Sequence, residues 1–345
     1  MEANVYPRIL LVKLSSLGDV VQALPTLEAL RQRYPKGRIT WLVESGQAPL
    51  LQGHPALDEV LAVPRLRLAE GWRPRDLSSL LVLVRQLRHR SFDLVIDLQG
   101  LLKSALWVAL ARSPRKIGFD GTREGSYLVL TERLPKYDPD LHAVARYLQV
   151  AAYLGAPVSP PRFRLPSQLH GDISPILAAA QGRPLVVLHP GARWPSKLWP
   201  AQAWAALARG VTNQGALPVI TGSPADRELA QAIMAEKPGK VLNLVGRTTL
   251  GELSALLRVA ALAVMCDTGP MHLAAAVGTK VVALFGPTAP WRTGPFGPGH
   301  EVVRLGLSCS PCFRRRCPKY PEPRCLTQLL PEAVQAACLN SQFWT

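Results

Sequence analysis

The chain has 345 residues, of which 48% are hydrophobic and 19% are charged, as is typical of a globular protein. Domain-size statistics predict two domains of roughly 150 to 180 residues. No repeat with a period of about 20 to 50 residues is present, which excludes solenoids and propellers. The formal net charge of +16 favours an anionic partner: nucleic acid, an acidic membrane surface or a phosphorylated substrate. An arginine-rich composition without any functional role would produce the same excess of positive charge.

The N-terminal sequence MEANVYPRILLVKL lacks the charged, apolar and cleavage regions of a secretory signal. No window reaches the roughly 18 uncharged apolar residues of a membrane-spanning helix. The longest apolar segment, residues 101–111, is too short and contains Lys103. We therefore expect a soluble, cytoplasmic protein whose basic surface can rest on a membrane face.

Short apolar segments alternate with helical patterns along most of the chain. Buried parallel strands are predicted at 8–14, 38–43, 59–63 and 93–98, and again within 184–191, 216–223, 240–246, 261–269 and 280–288. Residues 155–166 are rich in proline and form the best candidate for a linker. The pattern predicts an α/β protein with two Rossmann-like domains, and a ligand site in a cleft at the carboxyl ends of the strands.

The loop after the first predicted strand reads Ser15-Ser16-Leu17-Gly18-Asp19 and precedes a helical pattern. It matches neither the dinucleotide-binding nor the P-loop fingerprint. Gly18 can adopt a positive φ and let the backbone approach a ligand. Two roles are open for Asp19: an N-cap of the following helix, or a general base that accepts a proton from a hydroxyl group.

The second half of the chain carries three polar loops that each follow a predicted strand. The loop at 188–200 offers cations and amides to phosphates, and the loop at 219–230 offers acidic groups to ribose hydroxyls. The loop at 266–272 opens a helix whose N-terminus suits a pyrophosphate. Each loop also has a simpler explanation. The first can be a basic surface loop, the second an ordinary turn, and the histidine of the third can be structural. The candidate residues in these loops are Arg193, Ser196, Lys197, Ser223, Asp226, Glu228, Asp267, Thr268, Gly269 and His272.

All six cysteines lie in the last third of the chain. Four of them, Cys309, Cys312, Cys317 and Cys325, have spacings that match no standard metal motif closely. We read them as packed free thiols and predict no metal site. A zinc or iron–sulfur site and a redox disulfide are the alternatives.

Three segments together resemble the signatures of the bacterial lipopolysaccharide heptosyltransferases, glycosyltransferase family nine. They are LLVKLSSLGDVVQALP at 10–25, HPGARWPSKLWP at 189–200 and CDTGPMHLAAAVGTKVVALFGPT at 266–288. The resemblance covers nearly the whole chain and implies a GT-B fold, two Rossmann-like domains facing a central cleft. Residues 1–160 would bind the acceptor, residues 161–325 the nucleotide sugar, and residues 326–345 would form a helix returning to the N-terminal domain.

The resemblance also implies the chemistry: inverting, metal-independent transfer of a heptose from an ADP-sugar to the phosphorylated inner core on lipid A. The ADP-sugar is a substrate, so no cofactor is expected. By position, Asp19 matches the general base, Lys197 a donor-phosphate contact, and the 267–272 loop the donor-binding loop. The acidic ribose contact falls on Asp226 or Glu228. Acceptor contacts are expected from Ser15, Ser16 and Gly18, and further donor contacts from Arg193, Ser196 and Ser223.

Features of two family branches occur together. The opening S-S-L-G-D-V resembles the first-heptose branch, whereas the cysteine-rich tail resembles the second-heptose branch. Two other functions remain open. A GT-B-type nucleotide-sugar 2-epimerase would share the architecture without needing an acceptor, and a basic nucleic-acid binder would explain the charge. No nucleic-acid-binding module is recognisable, and only 6% of residues are aromatic, so we expect no nucleic-acid partner.

Overall fold

The computed structural model describes residues 8–64, 74–167 and 169–340. The chain divides into two compact units, Met1–Gln168 and Leu169–Thr345. The sequence analysis expected this boundary after residue 160, within the proline-rich segment. Each unit is an α/β sandwich built around its own parallel sheet.

The first unit contains six parallel strands in the order β3-β2-β1-β4-β5-β6. The strands are β1 (Arg8–Val12), β2 (Arg38–Glu44), β3 (Glu59–Val63), β4 (Leu94–Asp97), β5 (Lys116–Phe119) and β6 (Glu132–Leu134). The helices are α1 (Leu17–Arg33), α2 (Pro74–His89), α3 (Leu102–Leu110) and α4 (Ala143–Tyr153), with 3₁₀ segments at Ala48–Leu50 and Arg123–Val129.

The second unit repeats this arrangement, with the strand order β12-β11-β10-β7-β8-β9. The strands are β7 (Leu185–His189), β8 (Leu217–Ile220), β9 (Leu242–Asn243), β10 (Leu262–Cys266), β11 (Val281–Leu284) and β12 (Glu301–Val303). The helices are α5 (Ser174–Ala180), α6 (Ala201–Asn213), α7 (Arg227–Ala235), α8 (Leu250–Val259), α9 (Gly269–Ala276), α10 (Pro290–Thr293), α11 (Arg324–Thr327) and α12 (Pro331–Asn340), with 3₁₀ segments at Pro195–Lys197 and Pro224–Asp226.

Both sheets have the strand order of a dinucleotide-binding Rossmann domain, 3-2-1-4-5-6 when each unit is counted from its own first strand. The strand order reverses between β1 and β4 in the first unit and between β7 and β10 in the second. Loops at the carboxyl ends of these four strands therefore flank the position where such sheets bind ligands. The predicted α/β class and the two Rossmann-like units are confirmed.

The central strands are apolar because helices cover both faces of each sheet. In β1, Ile9, Leu10 and Leu11 are completely buried, and the central strands of the second unit are equally inaccessible. At about 25 cal/mol per Å² of apolar surface, this burial is the main favourable contribution to folding. The rigid sheets hold the polar loops at their carboxyl edges in fixed positions.

Helix α12 packs on α6 and on strands β11 and β12 of the second unit. Its Val334 and Cys338 belong to the second core, and Gln335 Nε2 donates to the Ala206 carbonyl at 3.3 Å. The apolar face of α12 is thus covered within the second unit, and the return of residues 326–345 to the first unit stays a prediction. Residues 341–345 lie outside the described part. Of the helices in the described ranges, none is long and apolar enough to cross a membrane.

Candidate functional site

The first candidate site lies where β1 leads into α1. Ser16 is the N-cap of α1, and Asp19 occupies the third helical position. The backbone N–H and the hydroxyl of Ser16 both donate to Oδ2 of Asp19, at 3.0 and 2.8 Å. The N-cap interpretation of Asp19 is therefore wrong, because Ser16 holds that position and Asp19 reaches back to it. Gly18 is buried within the helix and does not have the positive φ that the sequence suggested.

A buried lysine and a tyrosine complete the surroundings of the Asp19 carboxylate. Lys13 Nζ donates to the Tyr147 hydroxyl at 2.7 Å and to the Leu98 carbonyl at 3.2 Å. The Tyr147 hydroxyl donates to Oδ1 of Asp19 at 3.0 Å, and Lys13 Nζ lies 3.7 Å from the same oxygen. The Lys13 side chain is 3% exposed and that of Asp19 is 37% exposed. The Asp19 carboxylate is therefore accessible to solvent, and the Lys13 ammonium is buried beneath it.

These contacts determine the ionisation of the site. Burial would raise the pKa of Asp19, but the charge of Lys13 and the hydrogen bonds from Ser16 and Tyr147 outweigh it and lower this pKa to about 2. Burial would lower the pKa of Lys13, but Tyr147 and Asp19 outweigh it and raise this pKa. Burial raises the pKa of Tyr147. At neutral pH the site therefore contains a carboxylate, an ammonium and a neutral phenol.

The loop after β4 supports the turn at Ser15 from the neighbouring strand. Gln99 Oε1 accepts hydrogen bonds from the backbone N–H groups of Leu14 and Ser15, at 3.0 and 3.1 Å. Asp97, buried at the end of β4, accepts from the N–H of Gln99 at 2.8 Å and so fixes the supporting loop. The turn is consequently held from both strands at the point where the strand order reverses.

Ser15, Ser16, Gly18 and Asp19 were predicted in this region, but three supporting residues were missed: Lys13, Gln99 and Tyr147. One signal could have found Lys13. A lysine at the end of a buried apolar strand needs a hydrogen-bonding or charged partner. The partner itself, Tyr147, lies 134 residues further along the chain, where no local pattern identifies it.

The second candidate site lies at the corresponding edge of the second sheet. Lys197 Nζ donates to Asp267 Oδ2 at 2.7 Å, and the Thr288 hydroxyl donates to the same oxygen at 2.6 Å. The Lys197 ammonium also lies 4.7 Å from the centre of the Trp194 ring. Lys197 follows β7 and Asp267 follows β10, so the ion pair joins the two loops at the reversal of strand order.

Helix α9 begins beside this ion pair. Thr268 is its N-cap, Gly269 its first residue, and Pro270 lies in its first turn, as the sequence predicted. His272 is buried one turn into the helix. The free N–H groups and the positive end of the helix dipole at such a terminus favour an anion. Together with Lys197, this edge of the sheet has the donors and the charge that a pyrophosphate requires.

The two acidic candidates for the ribose contact occupy different environments. A Cβ atom on Gly191, in the loop after β7, would lie 2.5 Å from Oδ1 of Asp226, so only glycine fits there. Oδ2 of Asp226 accepts from the N–H and the hydroxyl of Ser223, both at 2.7 Å. Glu228 is exposed in the first turn of α7. Of the two carboxylates, the structure holds Asp226 at the carboxyl edge of the sheet.

Ser196 and Arg193, two other predicted donor contacts, differ in burial. The Ser196 hydroxyl is buried and donates to the Arg314 carbonyl at 2.6 Å, and the Ser196 N–H donates to the Arg315 carbonyl at 3.3 Å. Ser196 therefore anchors the segment that follows β12. Arg193 is exposed on the loop after β7.

The four clustered cysteines line one cavity of about 70 Å³ in the second unit. All are free thiols. Burial and, after it, the neighbouring thiols raise the pKa of Cys325 to about 11, so this thiol is protonated at neutral pH. Within the part of the chain that the structure describes, no group of three or more His, Cys, Asp or Glu residues is arranged to hold a metal ion.

Comparisons with known proteins agree with this architecture. A family model described as glycosyltransferase family 9 (heptosyltransferase) matches residues 80–321. Lipopolysaccharide heptosyltransferase 1 of Pseudomonas aeruginosa is 31% identical over 348 aligned residues, which cover 95% of this chain and 96% of that protein. The match therefore includes both units.

Solved structures give the same result. The E. coli ADP-heptose lipopolysaccharide heptosyltransferase II has a TM-score of 0.78 and 25% identity, covering 97% of this chain and 98% of that one. The E. coli heptosyltransferase WaaC with ADP has a TM-score of 0.74 and 27% identity, covering 97% and 99%. With the sequence motifs, the two Rossmann-like units and the family match in agreement, this chain belongs to glycosyltransferase family 9, the heptosyltransferase family.

Proposed function

We propose that this protein transfers a heptose from an ADP-activated heptose to the phosphorylated inner core of lipopolysaccharide, with inversion at the anomeric carbon and without a metal ion. One observation carries the proposal. The first unit presents an ionised carboxylate, Asp19, and the second presents an ammonium, Lys197, each at the reversal of strand order. Sugar transfer needs a base that takes the proton of the acceptor hydroxyl and a cation that stabilises the leaving pyrophosphate.

The carboxylate acts on the acceptor. As the acceptor hydroxyl attacks the anomeric carbon on the face opposite ADP, its proton passes to Asp19, and the bonding electrons of the departing C–O bond go to ADP. A carboxylate with a pKa of about 2 is a weak base. It therefore takes the proton late, when the forming C–O bond has made the hydroxyl acidic. Ser16 and Tyr147 hold the carboxylate in one orientation for this step.

The second unit stabilises the leaving group. Negative charge develops on the pyrophosphate as the C–O bond breaks, and a nearby cation and helix N-terminus lower the energy of that state. Lys197, held by Asp267, supplies the cation, and the start of α9 at Thr268 and Gly269 supplies N–H donors. These groups provide the charge that a divalent metal supplies in other nucleotide-sugar enzymes, which supports metal-independent transfer.

Donor selectivity follows from the neighbouring loops. We assign the ribose contact to Asp226, because the Ser223 N–H and hydroxyl hold its carboxylate at the edge of the sheet, whereas Glu228 is exposed on α7. His272, Ser223 and Arg193 are further donor contacts in this proposal. Ser15, Ser16 and Gly18 form the backbone turn that receives the acceptor. The structural role of Ser196 makes it a support for the donor loop.

The proposed acceptor is a glycolipid, so we place the protein in the cytoplasm, at the inner face of the cytoplasmic membrane. The net charge of +16 supports this assignment, because the donor pyrophosphate, the phosphorylated acceptor and the membrane surface are all anionic. Membership of a transferase family favours sugar transfer over the 2-epimerase and nucleic-acid alternatives.

Replacing Asp19 by asparagine tests the proposal. Asparagine keeps the shape and can still accept from Ser16, but it cannot take a proton. We expect kcat for transfer from ADP-heptose to a purified inner-core acceptor to fall by about a hundredfold or more. The dissociation constant for ADP, measured by calorimetry, should not change. Asp120→Asn, which alters an exposed carboxylate of the same unit, is the control.

Near wild-type turnover of the Asp19→Asn variant would contradict the general-base assignment. A second measurement separates the enzyme classes. Incubating the wild-type protein with donor and no acceptor should leave the sugar unchanged, whereas an epimerised sugar would identify an epimerase. Thermal shifts with ADP and UDP test the nucleotide, and a larger shift with ADP is expected.

A further inference from the structure

Five large apolar side chains are exposed on adjoining elements of the first unit. They are Leu81 and Val82 on α2, Leu102 and Leu106 on α3, and Leu128 in the 3₁₀ segment, and they are between 52% and 69% exposed. We call them the α2–α3 ridge. Among the described residues of this unit, Tyr153 is the one other large apolar side chain with comparable exposure. Leu102, Leu106 and Leu128 lie on α3 and the 3₁₀ segment, which pack against each other, whereas Val82 lies beside β3.

The outward face of α3 differs from that of an ordinary surface helix. Its inward residues Trp107 and Val108 pack in the core together with Leu83 and Leu87 of α2. A helix covered on one side usually carries polar residues on the other. The exposed positions of α3 instead include Leu102, Leu106 and Ala109, with Lys103 as their charged neighbour. Exposed apolar surface of this kind marks a binding surface.

The surrounding charge indicates what binds there. Residues 77–92 and 101–118 contain no Asp or Glu but seven basic residues: Arg85, Arg88, Arg90, Lys103, Arg112, Arg115 and Lys116. Three of these pair with carboxylates of neighbouring segments: Arg90 with Glu59, Lys103 with Glu44 and Arg115 with Glu132. Glu124 of the 3₁₀ segment accepts from the Leu102 N–H at 2.9 Å. Arg85, Arg88 and Arg112 are exposed. Leucines flanked by cations fit an anionic bilayer, where the leucines enter the acyl boundary and the cations meet the headgroups. A second copy of this chain would bring the same positive charge against itself.

The ridge also adjoins the catalytic loop. Lys103, between two exposed leucines of α3, donates to the Ser15 hydroxyl and forms an ion pair with Glu44 at 2.8 Å. Gln99, three residues before Leu102, supports the backbone of Ser15. Helix α3, with its apolar outward face, therefore begins beside the turn that leads to Asp19.

We infer that the α2–α3 ridge inserts into the headgroup region of an anionic bilayer and brings the Asp19 site to the membrane surface. This inference deepens the proposed function, because it gives the position from which the enzyme reaches a lipid-anchored acceptor. Bilayer binding itself needs neither donor nor acceptor. It can therefore be measured even if the proposed transfer reaction is wrong.

The experiment is co-sedimentation of the full-length protein with vesicles of phosphatidylethanolamine and phosphatidylglycerol, and with vesicles of phosphatidylcholine alone. The wild type should bind the anionic vesicles more strongly, and salt should weaken this binding. The double variant Leu102→Gln/Leu106→Gln should bind anionic vesicles at least about tenfold more weakly, because two inserted apolar side chains are lost. ADP binding and the thermal midpoint should stay at the wild-type values.

A matched control comes from the second unit. Leu330 is 63% exposed, the same as Leu102, and Leu177 is 46% exposed. Leu330→Gln/Leu177→Gln should bind vesicles like the wild type. Equal loss in both double variants, or no loss in the ridge variant, would overturn the inference. So would sedimentation equilibrium showing a wild-type dimer that the ridge substitutions separate into monomers, because the ridge would then be an interface between copies.

Discussion

The two units contain lysine–aspartate pairs that expose opposite charges. In the first unit the lysine of the pair, Lys13, is 3% exposed and Asp19 is 37% exposed. In the second unit the carboxylate of the pair, Asp267, is 8% exposed and Lys197 is 16% exposed. Each pair lies at the reversal of strand order of its sheet. In the same fold, the more exposed charge is therefore the Asp19 carboxylate in the first unit and the Lys197 ammonium in the second.

Under the proposed function, one architecture serves two chemical tasks. In each pair the less exposed partner fixes the position of the other, which would meet the substrate. Lys13, with the Ser16 and Tyr147 hydrogen bonds, keeps Asp19 ionised. Asp267 holds the Lys197 ammonium beside the start of α9. The proposed base and the proposed cation are thus the more exposed members of their pairs.

Removing the exposed cation should have the largest effect of the variants considered next. In Lys197→Met we expect kcat/KM to fall by on the order of a hundredfold to a thousandfold, because the developing pyrophosphate charge loses its partner. Steady-state kinetics with ADP-heptose measure this. Lys197→Arg should recover part of the rate, since it restores the charge. Lys240→Met, at an exposed lysine of the same unit, is the control.

Whether the Lys197→Met substitution lowers kcat or raises KM shows at which stage of the reaction the ammonium acts. A loss in kcat means that the ammonium acts mainly in the transition state, as proposed. If KM for the donor rises while kcat stays unchanged, Lys197 contributes uniform binding instead. The leaving-group assignment would then be wrong.

A second prediction separates the two acidic candidates on the donor side. Asp226→Asn should weaken ADP binding by about tenfold, because a charged hydrogen-bond acceptor for the ribose becomes neutral. Glu228→Gln should change the dissociation constant by less than about twofold, as expected for an exposed side chain. Isothermal titration calorimetry measures both values. Equal losses in the two variants, or a larger loss in Glu228→Gln, would contradict the assignment of Asp226.

Much of the fold could be predicted because buried parallel strands are nearly continuous apolar runs. The predicted segments contain β1, β3, β4 and β7 to β11, and the segment 38–43 contains all of β2 except Glu44. Strands β5, β6 and β12 were missed. Each has only three or four residues and includes a charged one, as in Glu132–Leu134 and Glu301–Val303. Such short strands have no pattern that separates them from loops.

The candidate site was predictable only where its residues share a loop. Asp19, Lys197 and Asp267 follow strands directly, so the rule for ligand sites in open sheets identifies their loops. Tyr147 does not follow a strand. It lies on α4 and reaches Asp19 across 128 residues of sequence. Its helical pattern explains its burial by packing alone, and the hydrogen bond to the base becomes visible only when α4 is placed against α1.

Tyr147→Phe tests whether this hydrogen bond positions the base, and it should have the smallest effect. Phenylalanine keeps the ring, over which the Lys13 ammonium lies 4.5 Å from the centre, and removes only the hydroxyl. We expect kcat to fall by about threefold to tenfold, because Asp19 loses one of the groups that orient it, while KM for ADP-heptose stays constant. Tyr153→Phe, at an exposed tyrosine of the same helix, is the control and should leave kcat unchanged.

Acid stability gives Tyr147→Phe a second readout. The pKa of Asp19 in the folded protein, about 2, is below its ordinary value of 3.8. Its stabilising contribution is therefore fully present above the ordinary value and is lost as pH falls toward 2. Without the Tyr147 hydroxyl this pKa rises toward 3.8, so the stabilising contribution of Asp19 becomes smaller, and the acid-unfolding midpoint measured by circular dichroism should move upward. If kcat falls and the midpoint does not move, Tyr147 acts on the reaction by a route other than the Asp19 carboxylate.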